Sequence, residues 1–462
     1  MKISCVAIVL LLVTFAGCIQ GQRARTPYRN RGVGFFPPNR TPIVNTNLFL
    51  PSSRKSSQAL EASFFFDGAL NFAMDLSLGT PPQPLNFTLA VDSGFSWVAC
   101  SSSCAINCTT ASLFQPGLST SHTKLPCGSP SCSAFSAVST SCGPSSSCSY
   151  NTSYGTNFSS AGDLVSDIAT MDSVRNRKVA ANLSLGCGRD SGGLLELLDT
   201  SGFVGFDKGN VSFMGQLSAL GYRSKFIYCL PSDTFRGKLV IGNYKLRNAS
   251  ISSSMAYTPM ITNPQAAELY FINLSTISID KNKFQVPIQG FLSNGTGGTV
   301  IDTTTFLSYL TSDFYTQLVQ AIKNYTTNLV EVSSSVADAL GVELCYNISA
   351  NSDFPPPATL TYHFLGGAGV EVSTWFLLDD SDSVNNTICM AIGRSESVGP
   401  NLNVIGTYQQ LDLTVEYDLE QMRYGFGAQG CNTTMVVDVN TSSAEFSKKP
   451  LWLMLLLVLL TV

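Results

Sequence analysis

Two aspartates 210 residues apart stand in matching settings. Val91-Asp92-Ser93-Gly94 closes one apolar run, and Val300-Ile301-Asp302-Thr303-Thr304 closes another. Each aspartate follows apolar residues and precedes a hydroxyl residue. Farther along, Gly202-Phe203-Val204-Gly205 follows the first and Asn403-Val404-Ile405-Gly406 follows the second. One aspartate after a strand is an ordinary turn carboxylate, whereas the paired setting is what a duplicated unit would leave. The chemistry open to such a pair is specific. Two carboxyls within about 3 Å cannot both ionise, so they share a proton and supply a base for water and an acid for a leaving amine. Peptide hydrolysis then needs no metal, cofactor or covalent intermediate, and the titration belongs to the pair. Other chemistries are poorly supplied. The chain has two histidines, His122 and His363, too few for a histidine-rich metal site, and no nucleophile elbow accompanies either.

The elements that would hold these aspartates are strands. Phe72–Leu78, Leu85–Val91, Lys238–Ile241 and Tyr270–Ile279 mix apolar and polar residues near period two, between clusters of Gly, Pro, Asn and Ser. Helices are expected only over Ser212–Leu220, Ser312–Tyr325 (with Ser312 as N-cap) and Ser334–Leu340. The pattern is all-β, and the recurring landmarks are what two similar lobes would leave. Of 462 residues, 44% are hydrophobic, enough for sizeable cores. Only 13% are charged, against an ordinary ~25%. That balance excludes a disordered solvating chain and a nucleic-acid binder with a basic face.

Both ends read as processing signals. Lys2, the apolar run Ile3–Phe15 and the small residues Ala16, Gly17 and Gly21 lay out a secretory signal peptide over 1–21. At the other end a polar stretch, 432–443, leads to a tail over 444–462 whose last twelve residues are mostly apolar. That is the layout of a GPI-anchor signal and too short for a membrane span of roughly 20 residues. Twelve cysteines remain once Cys5 and Cys18 leave with the signal, which in a secreted chain means up to six disulfides of open connectivity. Fourteen N-x-S/T sequons lie between Asn86 and Asn440. Asn86, Asn107, Asn182, Asn248, Asn273 and Asn324 are among the acceptor candidates. The net charge of −4 conceals a division. Residues 22–60 carry seven basic side chains and no acid, while 61–443 carry seventeen basic and thirty acidic, a net of −13. Residues 22–62 read either as a disordered basic tail or as a removable basic prosegment whose charge covers an acidic cleft, followed by an N-terminal lobe over 63–250 and a C-terminal lobe over 251–431. The expected setting is the extracellular face of the plasma membrane or the cell wall, as a monomer.

Landmarks across the chain carry a resemblance. Leu78-Gly-Thr-Pro-Pro-Gln83 precedes the first aspartate, followed by Trp97-Val-Ala-Cys100 and Cys148-Ser-Tyr-Asn-Thr-Ser-Tyr154-Gly155. Later come Lys225-Phe-Ile-Tyr-Cys229, Leu344-Cys345-Tyr346, Cys389-Met-Ala-Ile392, Val404-Ile-Gly-Thr-Tyr-Gln-Gln410 and Tyr424-Gly-Phe426. From about Phe72 to Cys431 the chain resembles pepsin-family aspartic proteases of the plant nepenthesin-like type. The resemblance implies a bilobal fold, Asp92 and Asp302 as the catalytic pair, Tyr154 as the flap tyrosine, a polypeptide substrate and an acidic working range. It also implies the pairs Cys100–Cys104, Cys108–Cys187, Cys127–Cys148, Cys132–Cys142, Cys229–Cys431 and Cys345–Cys389.

The two loops depart from the family's Asp-Thr/Ser-Gly-Ser/Thr. Ser93 and Thr303 keep the hydroxyl that in relatives braces the opposite loop, and Gly94 is kept. Thr304 replaces the second glycine, adding bulk and stiffness. Thr305 keeps a hydroxyl, but Phe95 stands at the corresponding place in the first loop, so Asp92 should lack a donor. The segment from Asp92 to Trp97 is two residues shorter than usual. Two function classes follow: an extracellular aspartic endopeptidase, or a catalytically silent relative that binds a protein or glycan, as the similar plant xylanase inhibitors do.

Overall fold

The structure, a computed structural model, describes residues 58–439 apart from 67–71, 102–112, 137, 143–145, 155–157, 191–199, 233–235, 247–254, 265, 280–281, 285–296, 328, 333–341, 348–357, 379–386, 396–401, 428–430 and 432–436. It is a two-lobed β protein. Among the described residues the strands form one 15-stranded sheet and smaller sheets of five, four, four and two strands.

Each half contains the same strand–loop–strand unit. Gln83–Ala90 runs into the Asp92 loop, and Gly202–Gly205 lies parallel beside it, with Phe203 opposite Thr88 and Gly205 opposite Ala90. Gly202–Gly205 also pairs antiparallel with Trp97–Ala99, the strand that leaves the loop. In the second half Thr299–Ile301 runs into the Asp302 loop, and Asn403–Ile405 lies parallel beside it, Val300 opposite Val404. Val404 in turn faces Tyr309 of the departing strand Ser308–Leu310. Next to the loops these strands are buried on both faces, at Phe87–Ala90, Gly202–Gly205, Thr299–Ile301 and Asn403–Ile405. A glycine closes each return strand, Gly205 as the last residue of the first and Gly406 just after the second, for a steric reason. A methyl at Gly205 would come within 2.5 Å of the Ser93 carbonyl oxygen, and one at Gly406 within 2.2 Å of that of Leu307.

A shared platform joins the halves. Lys225–Cys229 pairs with Gly237–Gly242 on one side and with Thr414–Asp418 on the other, and the latter pairs with Arg423–Gly427. Aromatic rings cover it: Phe226 stacks on Tyr417 with centroids 4.3 Å apart, and Tyr270 and Tyr424 meet Tyr417 edge-on. Such pairs add directional packing energy to the area they bury.

Several boundaries shift from the sequence reading. Ala59–Phe66 is a strand whose Ala59 and Leu60 are buried against Gly237–Gly242, so the folded body begins ahead of residue 63, inside the stretch read as prosegment. Val437–Val439 pairs with Tyr244–Leu246, so part of the stretch read as polar stalk is folded. The helix Phe213–Ala219 has Ser212 as its N-cap, the hydroxyl accepting from Gly215 N. The helix Ser312–Tyr325 is capped by position rather than side chain at Thr311, so Ser312 is its first residue and not its cap. The third expected helix, at 334–340, lies outside the described residues.

The disulfides need correction. Cys187 bonds to Cys100, not Cys108, because Trp97–Ala99 lies parallel to Lys178–Asp190 and brings their Cα atoms to 5.5 Å. Cys100 is thereby unavailable to Cys104; Cys104 and Cys108 lie outside the described residues. Cys132 bonds to Cys148 and Cys127 to Cys142, the reverse of the expected 127–148 and 132–142 pairs. Burial explains the exchange. The short helix Pro130–Ser133 turns Cys132 into the cluster of Phe95, Trp97 and Phe135 where Cys148 is buried, while Cys127 and Cys142 stay near the surface. Cys229–Cys431 and Cys345–Cys389 are formed. Of the glycosylation candidates, Asn182 and Asn324 are exposed and Asn86 and Asn273 half-buried; Asn107 and Asn248 lie outside the described residues. No helix among the described residues is long and apolar enough to cross a membrane. The segments read as leader and anchor signals lie outside them.

Candidate active site

The two strand–loop units bring Asp92 and Asp302 together, both buried and near enough for the charge of one to raise the other. Their surroundings are unequal. Asp302 Oδ1 accepts from Thr304 N at 2.6 Å, Thr304 Oγ1 at 2.8 Å and Thr305 N at 3.2 Å, and the Thr305 hydroxyl donates to Oδ2. Among the described residues, Asp92 Oδ1 has no hydrogen-bond partner.

Chain length explains the inequality. In each lobe a serine hydroxyl accepts from the N–H of the return-strand glycine: Ser96 from Gly205 and Ser308 from Gly406, each at 2.9 Å. Ser96 lies four residues beyond Asp92, whereas Ser308 lies six beyond Asp302. The two residues missing from the first loop correspond to the stretch where Thr304 and Thr305 supply donors. Phe95 is no substitute: its ring is buried in the N-terminal lobe, 4.8 Å from Tyr150 and edge-on to Phe135.

The hydroxyls after the aspartates also diverge. Thr303 Oγ1 crosses to the other loop, donating to Leu89 O at 2.7 Å and accepting from Val91 N at 3.1 Å. Ser93 makes no matching bridge in its bonds to Phe95; it accepts from Phe95 N at 3.2 Å within its own loop. The expected two-way brace is therefore one-way. Thr304 is buried, and its hydroxyl is turned onto Asp302, so the substitution for glycine supplies a donor as well as bulk.

The electrostatics follow from burial and partners. Burial foremost, then the Asp302 charge and the more distant Asp207 charge, holds Asp92 well above the ordinary carboxylate range, with its own backbone N–H working in the opposite direction. Burial also raises Asp302, but hydrogen bonds from Thr305 and Thr304 oppose the rise. Sequence reasoning missed Ser96, Ser308 and Gln410. Gln410 Nε2 donates to the Asp302 carbonyl at 2.8 Å, and its Oε1 accepts from Tyr228 OH at 2.5 Å, tying the second loop to the aromatic platform. The serines could have been found by their matching order after each aspartate; nothing local marks Gln410.

The hairpin Cys148–Tyr154 with Phe158–Ser173 places Tyr154 at its tip, opposite Phe158; the Tyr154 side chain lies outside those described. His363 sits on a strand, its Nε2 2.6 Å from Ser278 Oγ, and His122 lies 3.3 Å from Asp167, so neither histidine is placed with the aspartates. Among the described residues no group of three His, Cys, Asp or Glu side chains is arranged to hold a metal ion.

Family models described as "Xylanase inhibitor N-terminal" and "Xylanase inhibitor C-terminal" match residues 72–243 and 269–428. The chain is 30% identical over 372 residues to "Aspartyl protease AED3" of Arabidopsis thaliana, covering 78% of this chain and 77% of the relative. The chain belongs to the plant pepsin-like aspartic protease family. It is 27% identical to "Aspartic proteinase nepenthesin-1" of Nepenthes gracilis, covering 80% of each chain. Among solved structures it is similar to that titled "Crystal structure of edgp" (TM-score 0.64, 20% identity, 82% of this chain and 97% of that one). It is also similar to the basic 7S globulin from soybean (TM-score 0.62, 17% identity, 80% and 97%). At those identities the structural likeness speaks for the fold.

Proposed function

We propose that the protein is an aspartic endopeptidase in which Asp92 and Asp302 hydrolyse peptide bonds of an extended polypeptide lying between the lobes. One observation carries the reading: two buried carboxyls brought together, each at the mouth of a duplicated strand–loop unit, with donors concentrated on one of them. Donors on Asp302 favour its anion, while burial and the unpartnered Oδ1 favour a proton on Asp92. The pair thus holds one proton with a preferred arrangement. Asp302 takes the proton of an attacking water. The carboxyl of Asp92 hydrogen-bonds the developing oxyanion, and its proton then moves to the leaving amine. Tyr154, at the hairpin tip, closes over the substrate and excludes water. Catalysis needs the singly protonated pair, so the working range is acidic. The leader, the basic segment and the tail make this a secreted protein held at the outer membrane face by a GPI lipid.

A second reading, a non-catalytic binding protein on the same fold, is favoured by the short first loop, whose Ser93 does not brace the second. One experiment separates them. The protein, freed of its basic leader ahead of Ala59, is incubated with denatured protein across about pH 3 to 7, with and without pepstatin. Pepstatin-sensitive peptides that vanish in Asp302→Asn establish the peptidase. Folded material that cleaves nothing at any pH leaves the binding protein. Release from membranes by a phosphatidylinositol-specific phospholipase tests the anchor, and retention refutes it.

A further inference from the structure

A third buried carboxyl adjoins the first aspartate loop. Asp207 follows the return strand Gly202–Gly205, its backbone N–H donating to Ser93 O at 3.1 Å. Its Oδ2 lies so close to Gly94 that a methyl there would come within 2.5 Å of it. The retained glycine of the first loop is therefore required by Asp207 as well as by the loop itself. The other carboxyl oxygen, Oδ1, accepts from Gly209 N at 2.7 Å, and Ser212 Oγ, the cap of the following helix, donates to Asp207 O at 2.8 Å.

The surroundings of this carboxyl span both lobes. Lys208 N donates to Glu268 O at 2.9 Å, and Tyr270 OH donates to Phe206 O at 2.7 Å. The charged and titratable groups facing Asp207 are Asp92 from the loop, Glu268 and Tyr270 from the second half, and Lys208 from its own turn. Asp302 acts on Asp92 from the far side. Burial, with the Glu268 charge adding and the Gly209 N–H and Lys208 opposing, moves Asp207 up to about 7. The matching turn of the second lobe, Thr407-Tyr408-Gln409-Gln410, has no acid, so Asp207 is not part of the duplicated framework.

We propose that Asp207 is a positioning residue of the active site: its carboxyl, packed on Gly94, fixes the first aspartate loop, and its charge acts on Asp92, so that catalysis at the upper end of the working pH range depends on three carboxyls instead of two. This rests on the peptidase reading. Asp207 is neutral through most of the acidic range and ionises at about 7. Once negative it makes loss of the shared proton harder, so replacing it lets the pair lose that proton sooner at the upper end of the range.

The test is the pH dependence of kcat/KM for the wild-type chain, Asp207→Asn, which keeps the shape and the Gly209 acceptor, and Asp207→Ser. The upper limb is expected to move to lower pH in both variants, by up to about one unit, the full shift appearing only where Asp207 is ionised, at about pH 7 and above. A purely structural role would lower activity by one factor at every pH and leave the limb in place, and that result overturns the proposal. If the wild-type chain cleaves nothing, the peptidase reading fails separately, and the carboxyl carbon-13 titration of Asp92 decides. A midpoint that falls in the variants supports the coupling; superimposable curves overturn it.

Discussion

Thr304 replaces a family glycine, and restoring the glycine should weaken the site rather than repair it. The Thr304 hydroxyl donates to Asp302 Oδ1 at 2.8 Å inside a buried site, alongside its own backbone N–H at 2.6 Å. Thr304→Val deletes that hydroxyl at constant shape; Thr304→Gly deletes it and frees the backbone as well. A hydrogen bond to a charged acceptor contributes roughly 1.5–3 kcal/mol, and 1.36 kcal/mol corresponds to about one pKa unit. The donor favours the anion, so its loss makes the first proton of the pair harder to remove. The acid limb of kcat/KM should therefore move to higher pH by about one to two units, with activity near the acid end falling about tenfold to a hundredfold. The assay is a pH series with a quenched peptide or denatured protein and a pepstatin control, run on wild type and both variants. An acid limb that stays put in Thr304→Val would refute the assigned role of the hydroxyl. Higher activity in Thr304→Gly would show instead that bulk is the dominant effect.

Three further outcomes follow from the same geometry. Thr303→Val leaves Leu89 O and Val91 N without their crossing partner, and should destabilise the protein by roughly 2–4 kcal/mol in urea unfolding, with Thr303→Ser largely retaining stability. Asp207, at about 7 when folded against 3.8 ordinarily, holds a proton in the folded state that the unfolded chain has released. Stability should thus be greatest in acid and fall by up to about 4 kcal/mol between pH 4 and 7, the burial of Asp92 and Asp302 adding to the trend. The melting temperature of Asp207→Asn should depend less on pH over that window; an equal dependence contradicts the assignment. Non-reducing peptide mapping should recover Cys100–Cys187, Cys127–Cys142 and Cys132–Cys148, and finding 127–148 with 132–142 would overturn the burial argument.

Much of the architecture was legible because it is repetitive. The two aspartates, their following hydroxyls and the two hydrophobic–hydrophobic–Gly returns keep their order in each half. A parallel pair of strands buried on both faces beside each loop is written mostly in apolar residues, Leu89–Val91 and Val300–Ile301 among them. The helix Phe213–Ala219 falls within the expected span Ser212–Leu220, with Ser212 as its N-cap. Local signals failed where the deciding contact was remote. Ala59 and Leu60 read as prosegment because their partners in Gly237–Gly242 are about 180 residues away, and the cysteine pairs around the hairpin depend on which side chains the Phe95 cluster buries.

The sequence by itself determined the duplicated all-β framework, the two aspartates and the shortening of the first loop, since each is a matter of residue type and count. Only the tertiary structure decided what that shortening does. Two residues missing between Asp92 and Ser96 remove the stretch from which Thr304 and Thr305 serve the other aspartate, and they turn Ser93 back on its own loop. It also brought in Asp207, whose part rests on an approach to Gly94 across more than a hundred residues of chain. Spacing along a chain fixes which groups are present; the balance of charge between two buried carboxyls is set by donors and neighbours that only the folded packing supplies.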